Sequence, residues 1–257
     1  MSVSVVFALA ACGLLVASTV QSATGFGFSL VAGPALYAVV EPAAAVGLIL
    51  VLGQVVNLLV LFGERRRPQI DWSAVFPALV AALPGLPIGA LLVRTLPASS
   101  LRIGVGLVVC AVVVDRLARR LVRHQHRAAG LEAAAGRGGA IAAGFTVGVL
   151  TTSTTTSGPP LAIWLTARRM APTTLRDTVT VIFFVLDLVG ITVVIAIVGT
   201  GSSLARAEWI PRLIPVAVAG HLLGRQVFLR LPARHYEWTV LTLALVAGAV
   251  SVATGIA

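Results

Sequence analysis

The sequence predicts an all-α membrane protein whose two halves share one plan and run through the bilayer in opposite directions. Three observations carry this. Of 257 residues, 58% are hydrophobic and only 11% charged, whereas a soluble domain carries roughly 25% charged residues. Apolar runs of about 20 residues recur, the length a helix needs to cross a hydrocarbon core of about 30 Å; a transmembrane barrel would show short alternating segments instead. Finally, two stretches of small, hydroxylated and helix-breaking residues interrupt the apolar sequence, and the segments after each match in order.

The elements follow from these runs. Val3–Val20 is apolar, with no basic region before it and no clear Ala-x-Ala site after it, so it reads as a retained span rather than a cleaved signal. It enters the broken stretch Gln21-Ser22-Ala23-Thr24-Gly25-Phe26-Gly27-Phe28-Ser29, then Gly33-Pro34, and Ala35–Val40 is too short to span alone. Pro42–Phe62 is a full span, followed by the basic loop Glu64-Arg65-Arg66-Arg67. Trp72–Val93 is expected as one span despite Pro77, Pro84 and Pro87, and Leu101–Val114 as another. Arg116–Arg137 is the most basic loop, flexible over Ala128–Gly139. The pattern then restarts. Ala140–Leu150 leads into Thr151-Thr-Ser-Thr-Thr-Thr-Ser-Gly-Pro-Pro160, and Leu161–Ala167 ends at the basic turn Arg168-Arg169. Leu175–Val198, Trp209–Leu231 and Tyr236–Ala253 are the remaining spans. Counting both broken stretches as hairpins or short spans gives about eight to ten membrane segments. Asp115 and Asp177, near span ends, are expected at the interface. Cys12 and Cys110, inside apolar runs, are expected as buried free thiols, with no disulfide or metal framework.

The restart reads as an internal repeat: one transporter domain over 1–257, with repeat one about 1–122 and repeat two about 135–257, joined by a basic cytoplasmic loop. Gly33-Pro34-Ala35-Leu36 matches Gly158-Pro159-Pro160-Leu161. Gly85, Gly89, Leu96 and Pro97 match Gly220, Gly224, Leu231 and Pro232 with the same internal spacing, and Trp72 and Trp209 open equivalent spans. The net charge of +10 comes from 19 arginines against 9 acidic residues, with no lysine. So basic a chain raises nucleic-acid binding, but the arginines cluster in loops between apolar runs, as the positive-inside rule places them. Putting those loops in the cytoplasm sends Pro42–Phe62 inward and Leu175–Val198 outward, the inverted-topology repeat of many secondary transporters.

The hydroxyl stretch is where function points. No charge lies between Arg137 and Arg168, and hydroxyls in hydrocarbon are costly unless something uses them. Two tips, entering from opposite faces, would meet near mid-membrane and replace the hydration of a small oxyanion with hydroxyls, backbone N–H groups and helix N-termini. A Gly-Pro step at the start of each returning helix suits this, because the missing proline N–H is not needed there. The expected binding surface is Thr24, Gly25, Gly27, Ser29 and Pro34 on one tip, and Thr152, Ser153, Thr154, Thr155, Thr156, Ser157, Gly158 and Pro159 on the other; close helix packing is the competing role for the glycines. Asp187 lies in mid-span and is a candidate for proton coupling or for supporting a tip. Asn57 sits at the matching place in the first half, and His221, Arg225, Gln54 and Gln226 are further candidates.

Two segments carry a family resemblance. Ser22-Ala23-Thr24-Gly25-Phe26-Gly27-Phe28-Ser29-Leu30, followed by Pro34, and Gly148-Val149-Leu150 with Ser157-Gly158-Pro159-Pro160-Leu161, resemble the paired motifs of the sulfite exporter TauE/SafE family. Length and duplication agree over nearly the whole chain. Many members of that family have glycines where this chain has Thr151–Thr156, so hydroxyl donors here stand partly in place of backbone amides. The resemblance implies a permease for sulfite, a sulfonate or a related small organic anion.

Residues and resemblance together lead to an expectation of a multi-pass inner-membrane secondary transporter, exporting a small sulfur-containing anion without a cofactor or nucleic-acid partner. Proton-coupled import of an organic anion is the alternative; homo-oligomerisation is left open. An intramembrane enzyme is a distant third, since there is no Gly-x-Ser-x-Gly or His-Glu-x-x-His and His221 has no evident partner.

Overall fold

The computed structural model describes residues 3–37, 40–64, 66–95, 99–100, 136–153, 155, 157–168, 170–203 and 207–230, with scattered positions elsewhere. Most of the expected segments 101–114 and 236–253, the loop 116–135, Asp115, Thr154 and Thr156 lie outside the described residues. Among the described residues the chain is helical, without a strand.

The first half contains α1 (Val3–Thr24), α2 (Phe28–Tyr37), α3 (Pro42–Phe62), α4 (Trp72–Ala82) and α5 (Gly85–Thr95). Gly25 and Gly27 break α1 from α2 with φ of 85° and 101°, a region glycine enters without the Cβ penalty. Pro42 opens α3, and Gly63 closes it with an N–H to Leu59 O bond of 2.8 Å. Asp71 caps α4, its carboxylate accepting from the Ser73 N–H at 3.0 Å. The second half contains α6 (Arg137–Ser153), α7 (Gly158–Ala167), α8 (Pro172–Val198), the single turn α9 (Thr200–Ser203), a 3₁₀ turn at Ala207–Trp209, and α10 (Ile210–Arg230). Prolines again stand in the opening turns of α7 and α8.

Three expectations need correction. The single span over Trp72–Val93 is two helices bent by 48°, because Pro84 offers no N–H and its ring obstructs the preceding turn. Pro34 does not start its helix but lies within α2: the glycine break comes earlier, so Gly33-Pro34 and Gly158-Pro159 hold different places. Cys12 is exposed and Cys110 half-buried; Cys12 shares the outward face of α1 with the exposed Leu9 and Val16. Asp177, near the start of α8, is fully buried within the protein, where a guanidinium neutralises it.

Among the described residues three helices are long and apolar enough to cross a bilayer, through Phe7–Thr24, Ala44–Phe62 and Pro172–Val198, and a fourth span results if the bent α4–α5 pair is one. The chain is an integral membrane protein. Its outward faces carry exposed Phe62, Phe76, Val80 and Leu229, which lipid solvates and water would not. α10 is long enough to span but carries Arg212, His221, Arg225 and Arg230, and is the least apolar of the long helices.

The packing is crosswise. α4 and α5 lie on α6, α10 lies on α1, and α3 and α8 pack against each other. Glycines allow the close approach: a Cβ on Gly85 would stand 2.6 Å from Phe145 O, and one on Gly220 would stand 2.6 Å from Leu15 O. One turn on, Gly89 meets Val149 O and Gly224 meets Thr19 O. The glycine-bearing helix of each half thus leans on the broken arm of the other.

Candidate functional site

The two breaks come together. The Phe26 side chain, fully buried at the first, lies against Gly158 at the second, where a Cβ would stand 2.8 Å from its ring. At the first break the Thr24 hydroxyl is placed to serve its own backbone, at 2.8 Å from Val20 O and 2.7 Å from Phe26 O. Gly25 is pressed on α8, where a Cβ would stand 2.8 Å from Arg176 O. At the second break Thr155 has φ of 59°, an unusual conformation for a β-branched residue. Strain of this kind persists only where surrounding structure holds it.

A small cavity opens between the breaks. The first break contributes Gln21, Gly27, Phe28 and Ser29, and the second Thr155, Ser157 and Gly158; α3 adds Gly53 and Asn57, and α8 adds Phe183 and Asp187. The centre of a water molecule can occupy about 30 Å³ of it, where one water needs about 10–15 Å³. That is room for a few heavy atoms. The starts of α2 and α7 both border the space, and each helix N-terminus carries a partial positive charge.

Hydrogen bonds join the first break to the acid across three helices. The Phe28 N–H donates to Gln21 Oε1 at 3.2 Å, Gln21 Nε2 to Asn57 Oδ1 at 2.8 Å, and Asn57 Nδ2 to Asp187 Oδ2 at 3.1 Å. Gln21 was not singled out by sequence reasoning, although an amide in the last turn of an apolar helix before a break is itself a signal.

A separate cluster of charges lies where the α3–α4 connection meets the start of α8. Arg176, wholly buried, donates two bonds to Glu64. Arg66 donates to Glu64 at 3.0 Å and, through both terminal nitrogens, to Asp177 at 2.6 and 2.7 Å. Arg176 also lies 4.3 Å above the Phe228 ring of α10, a cation–π contact. Burial alone would raise the Glu64 pKa, but the hydrogen bonds and charge of Arg176, then of Arg66, outweigh it and hold the carboxyl below its ordinary value. Burial opposes ionisation of Asp71 as well; hydrogen bonds from Ser73 and the charge of Arg168 bring its carboxyl below the ordinary value too. Sequence reading took residues 64–67 for a basic loop and missed this pairing, whose partners stand 112 positions apart.

Of the expected binding residues, Gly27, Ser29, Thr155, Ser157 and Gly158 line the cavity, together with Asn57 and Asp187. Thr24, Gly25, Thr152 and Ser153 do not border it. The Thr152 hydroxyl donates to Leu86 O at 2.6 Å, joining α6 to α5. Pro34 stands within α2 and Pro159 in the opening turn of α7. His221 is buried against Ser22, Oγ to Nδ1 at 3.0 Å. Gln54 donates to Phe184 O at 3.1 Å, its own oxygen buried without a partner among the described residues. Arg225 is half-buried and Gln226 exposed. Among the described residues no cluster of potential ligands could hold a metal ion.

The fold and the cavity together define an α-helical integral membrane protein in which two broken helical segments meet at one small polar space. The chain belongs to the sulfite exporter TauE/SafE family, whose model matches residues 9–251, nearly its whole length. That is a family of transporters, not of enzymes. No curated protein and no solved structure matches the chain.

Proposed function

We propose that the protein exports a small sulfur-containing anion (sulfite, a sulfonate or a related organic anion) across the inner membrane, binding it in the cavity between the two breaks. The observation that carries this is the cavity's double origin: hydroxyls and helix starts from both breaks border one space of anion size. The two halves form an inverted repeat in this reading, with the basic loops cytoplasmic. The crosswise glycine packing supports it, since each half contributes the same kind of helix to the other's broken arm. A cavity shared by two opposed repeats opens to one side and then the other as one half rocks against its mate. The cell interior is negative, which favours outward anion movement by about 2.3 kcal/mol per charge per 100 mV.

One observation favours a second reading, proton-coupled uptake of an organic anion: Asp187 itself borders the cavity. Two like charges about 6 Å apart repel by about 3 kcal/mol at an effective dielectric of 20, so a charged Asp187 would resist its own cargo.

The test is flux into proteoliposomes of the purified protein, with sulfite, thiosulfate, sulfoacetate, taurine and acetate, under an imposed membrane potential and then an imposed pH gradient. Movement of a sulfur anion down the potential is expected. Movement of acetate alone, only with the pH gradient, favours the second reading. No movement of any anion overturns both.

A further inference from the structure

We propose that Gln21 and Asn57 form a relay that ties anion binding at the start of α2 to protonation of Asp187, so that each anion travels with one proton. This rests on the reading of the cavity as an anion site. The hydrogen-bond chain has a direction, and its two ends set it. A backbone N–H can only donate, so Gln21 must present Oε1 to Phe28. Its Nε2 then faces Asn57, which must present Oδ1, leaving Nδ2 for Asp187. Asp187 Oδ2 is therefore an acceptor and carries no proton in this arrangement.

An anion that takes the Phe28 N–H displaces Gln21 Oε1 from it. Both amides are then free to turn over, and the whole chain can run the other way. A protonated Asp187 donates to Asn57 Oδ1, Asn57 Nδ2 donates to Gln21 Oε1, and Gln21 Nε2 turns to the anion. The reversed chain gives the anion two donors, Phe28 N–H and Gln21 Nε2, and leaves no facing pair of donors or acceptors. It closes only if Asp187 supplies a hydrogen. That proton comes from the water on the side where the anion enters and leaves with it on the other. A monovalent anion then moves without net charge, and a divalent one keeps a single charge for the membrane potential to act on.

Among the described residues few other groups could produce the same pH dependence. Of the helices packed on α8, α3, α4, α7 and α9 carry no ionisable side chain; α5 carries Arg94 in its last turn and α6 carries Arg137 at its first position. α1 and α2 contribute only Cys12 and Tyr37. On α10, His221 faces Ser22 rather than the relay, and Arg225 lies one turn further on. Glu64, Arg66, Arg176 and Asp177 are committed to one another.

The test is binding of methanesulfonate, whose charge does not change with pH, to the full chain in nanodiscs across a pH series, with infrared difference spectra on addition. For the unaltered protein, affinity should fall about tenfold per pH unit above the titration of Asp187, and the spectrum should gain the band of a protonated carboxyl. Asp187→Asn puts a permanent donor at that end of the chain. It should bind as the acid form does at every pH, with no new carboxyl band. Gln21→Met removes the relay and should narrow the total fall in affinity with pH to the part that direct repulsion by a charged Asp187 leaves; a merely structural Gln21 would lower affinity and leave the whole fall. A slope that survives Asp187→Asn but vanishes in His221→Gln overturns the relay while leaving the anion site standing. PH-independent binding by the unaltered protein does the same. Failure to bind methanesulfonate or sulfite at any pH removes the anion site, and the relay with it.

Discussion

Asp177 and Asp187 lie on one helix and have opposite surroundings. Asp177 is wholly buried, with both carboxylate oxygens held by the Arg66 guanidinium and a further bond from the Gln69 N–H at 2.8 Å. Asp187 faces a cavity, and its recorded partner is the neutral amide of Asn57. Protonating the first would strand an arginine beside it; protonating the second strands nothing. The difference separates two uses of an acid inside a membrane protein. One is part of a closed set of charges that pins α8 to the α3–α4 connection. The other can change its charge without taking the fold apart.

The strongest test of this contrast acts on the closed set. Glu64→Gln would leave the buried Arg176 without its carboxylate, and losing one partner of a buried pair costs about 3–5 kcal/mol. Asp187→Asn removes no ion pair and keeps an oxygen that can accept from Asn57, so it should change stability by about 1 kcal/mol, the worth of one hydrogen bond. Thermal unfolding in one detergent reads both. Equal losses would mean that Asp187 is as structural as Asp177, and the contrast would fail.

A smaller effect is expected at the contact between the first break and the closed set. Gly25→Ala places a methyl 2.8 Å from Arg176 O at a φ of 85°. Overpacking plus the left-handed backbone should cost about 1–3 kcal/mol. Thermal unfolding of Gly25→Ala beside Gly27→Ala separates packing from cavity lining: Gly27→Ala carries the same kind of backbone cost at a φ of 101° and should disturb anion binding as well, since it lines the cavity.

Acid should loosen the closed set and not the cavity. The folded Glu64 pKa lies below its ordinary 4.5, because Arg176 and Arg66 outweigh its burial. A depressed carboxyl stabilises the fold fully above the unfolded value and loses that contribution as pH falls through the folded one. The melting-temperature gap between the unaltered protein and Glu64→Gln should therefore be constant above about pH 4.5 and narrow below it, as Glu64 itself becomes neutral. A gap that widens in acid would reverse the sign and remove Arg176 as the partner that matters.

These expectations show how unevenly the sequence can be read. α3 has the bounds read for it, Pro42 and Phe62, because a proline and a following glycine mark its ends within the local sequence. The breaks were legible for the same reason. Pro34 misled, because a helix-opening residue was taken to open a helix while Gly25 and Gly27 had already ended the one before. Asn57 and Asp187 each stood out as polar residues in mid-span, and their contact joins positions 130 apart. Gln21 and the Glu64–Arg176 pair went unread because long-range pairing leaves no local periodicity: Glu64 beside three arginines looks like any solvated loop until Arg176 is placed against it. Charge and hydropathy locate the polar groups of a membrane protein, but only the packing says which are closed off by a partner and which stay open to change.

The smallest effect expected is at Thr155, on the open side of the contrast. Its φ of 59° costs a β-branched residue about 1–2 kcal/mol, which glycine would avoid. Glycine also loses more backbone freedom on folding, by roughly 0.5–1 kcal/mol. The two nearly cancel, so Thr155→Gly should melt within about 1 kcal/mol of the unaltered protein. The change removes the hydroxyl and the γ-methyl from the cavity wall, and of the two only the hydroxyl can donate to an anion. If that hydroxyl is an anion donor, methanesulfonate affinity in Thr155→Gly should fall about 5–10-fold, the worth of one hydrogen bond, at unchanged stability. Unchanged affinity would make the threonine a backbone device, and would shift the anion's donors at the second break to Ser157 and the start of α7.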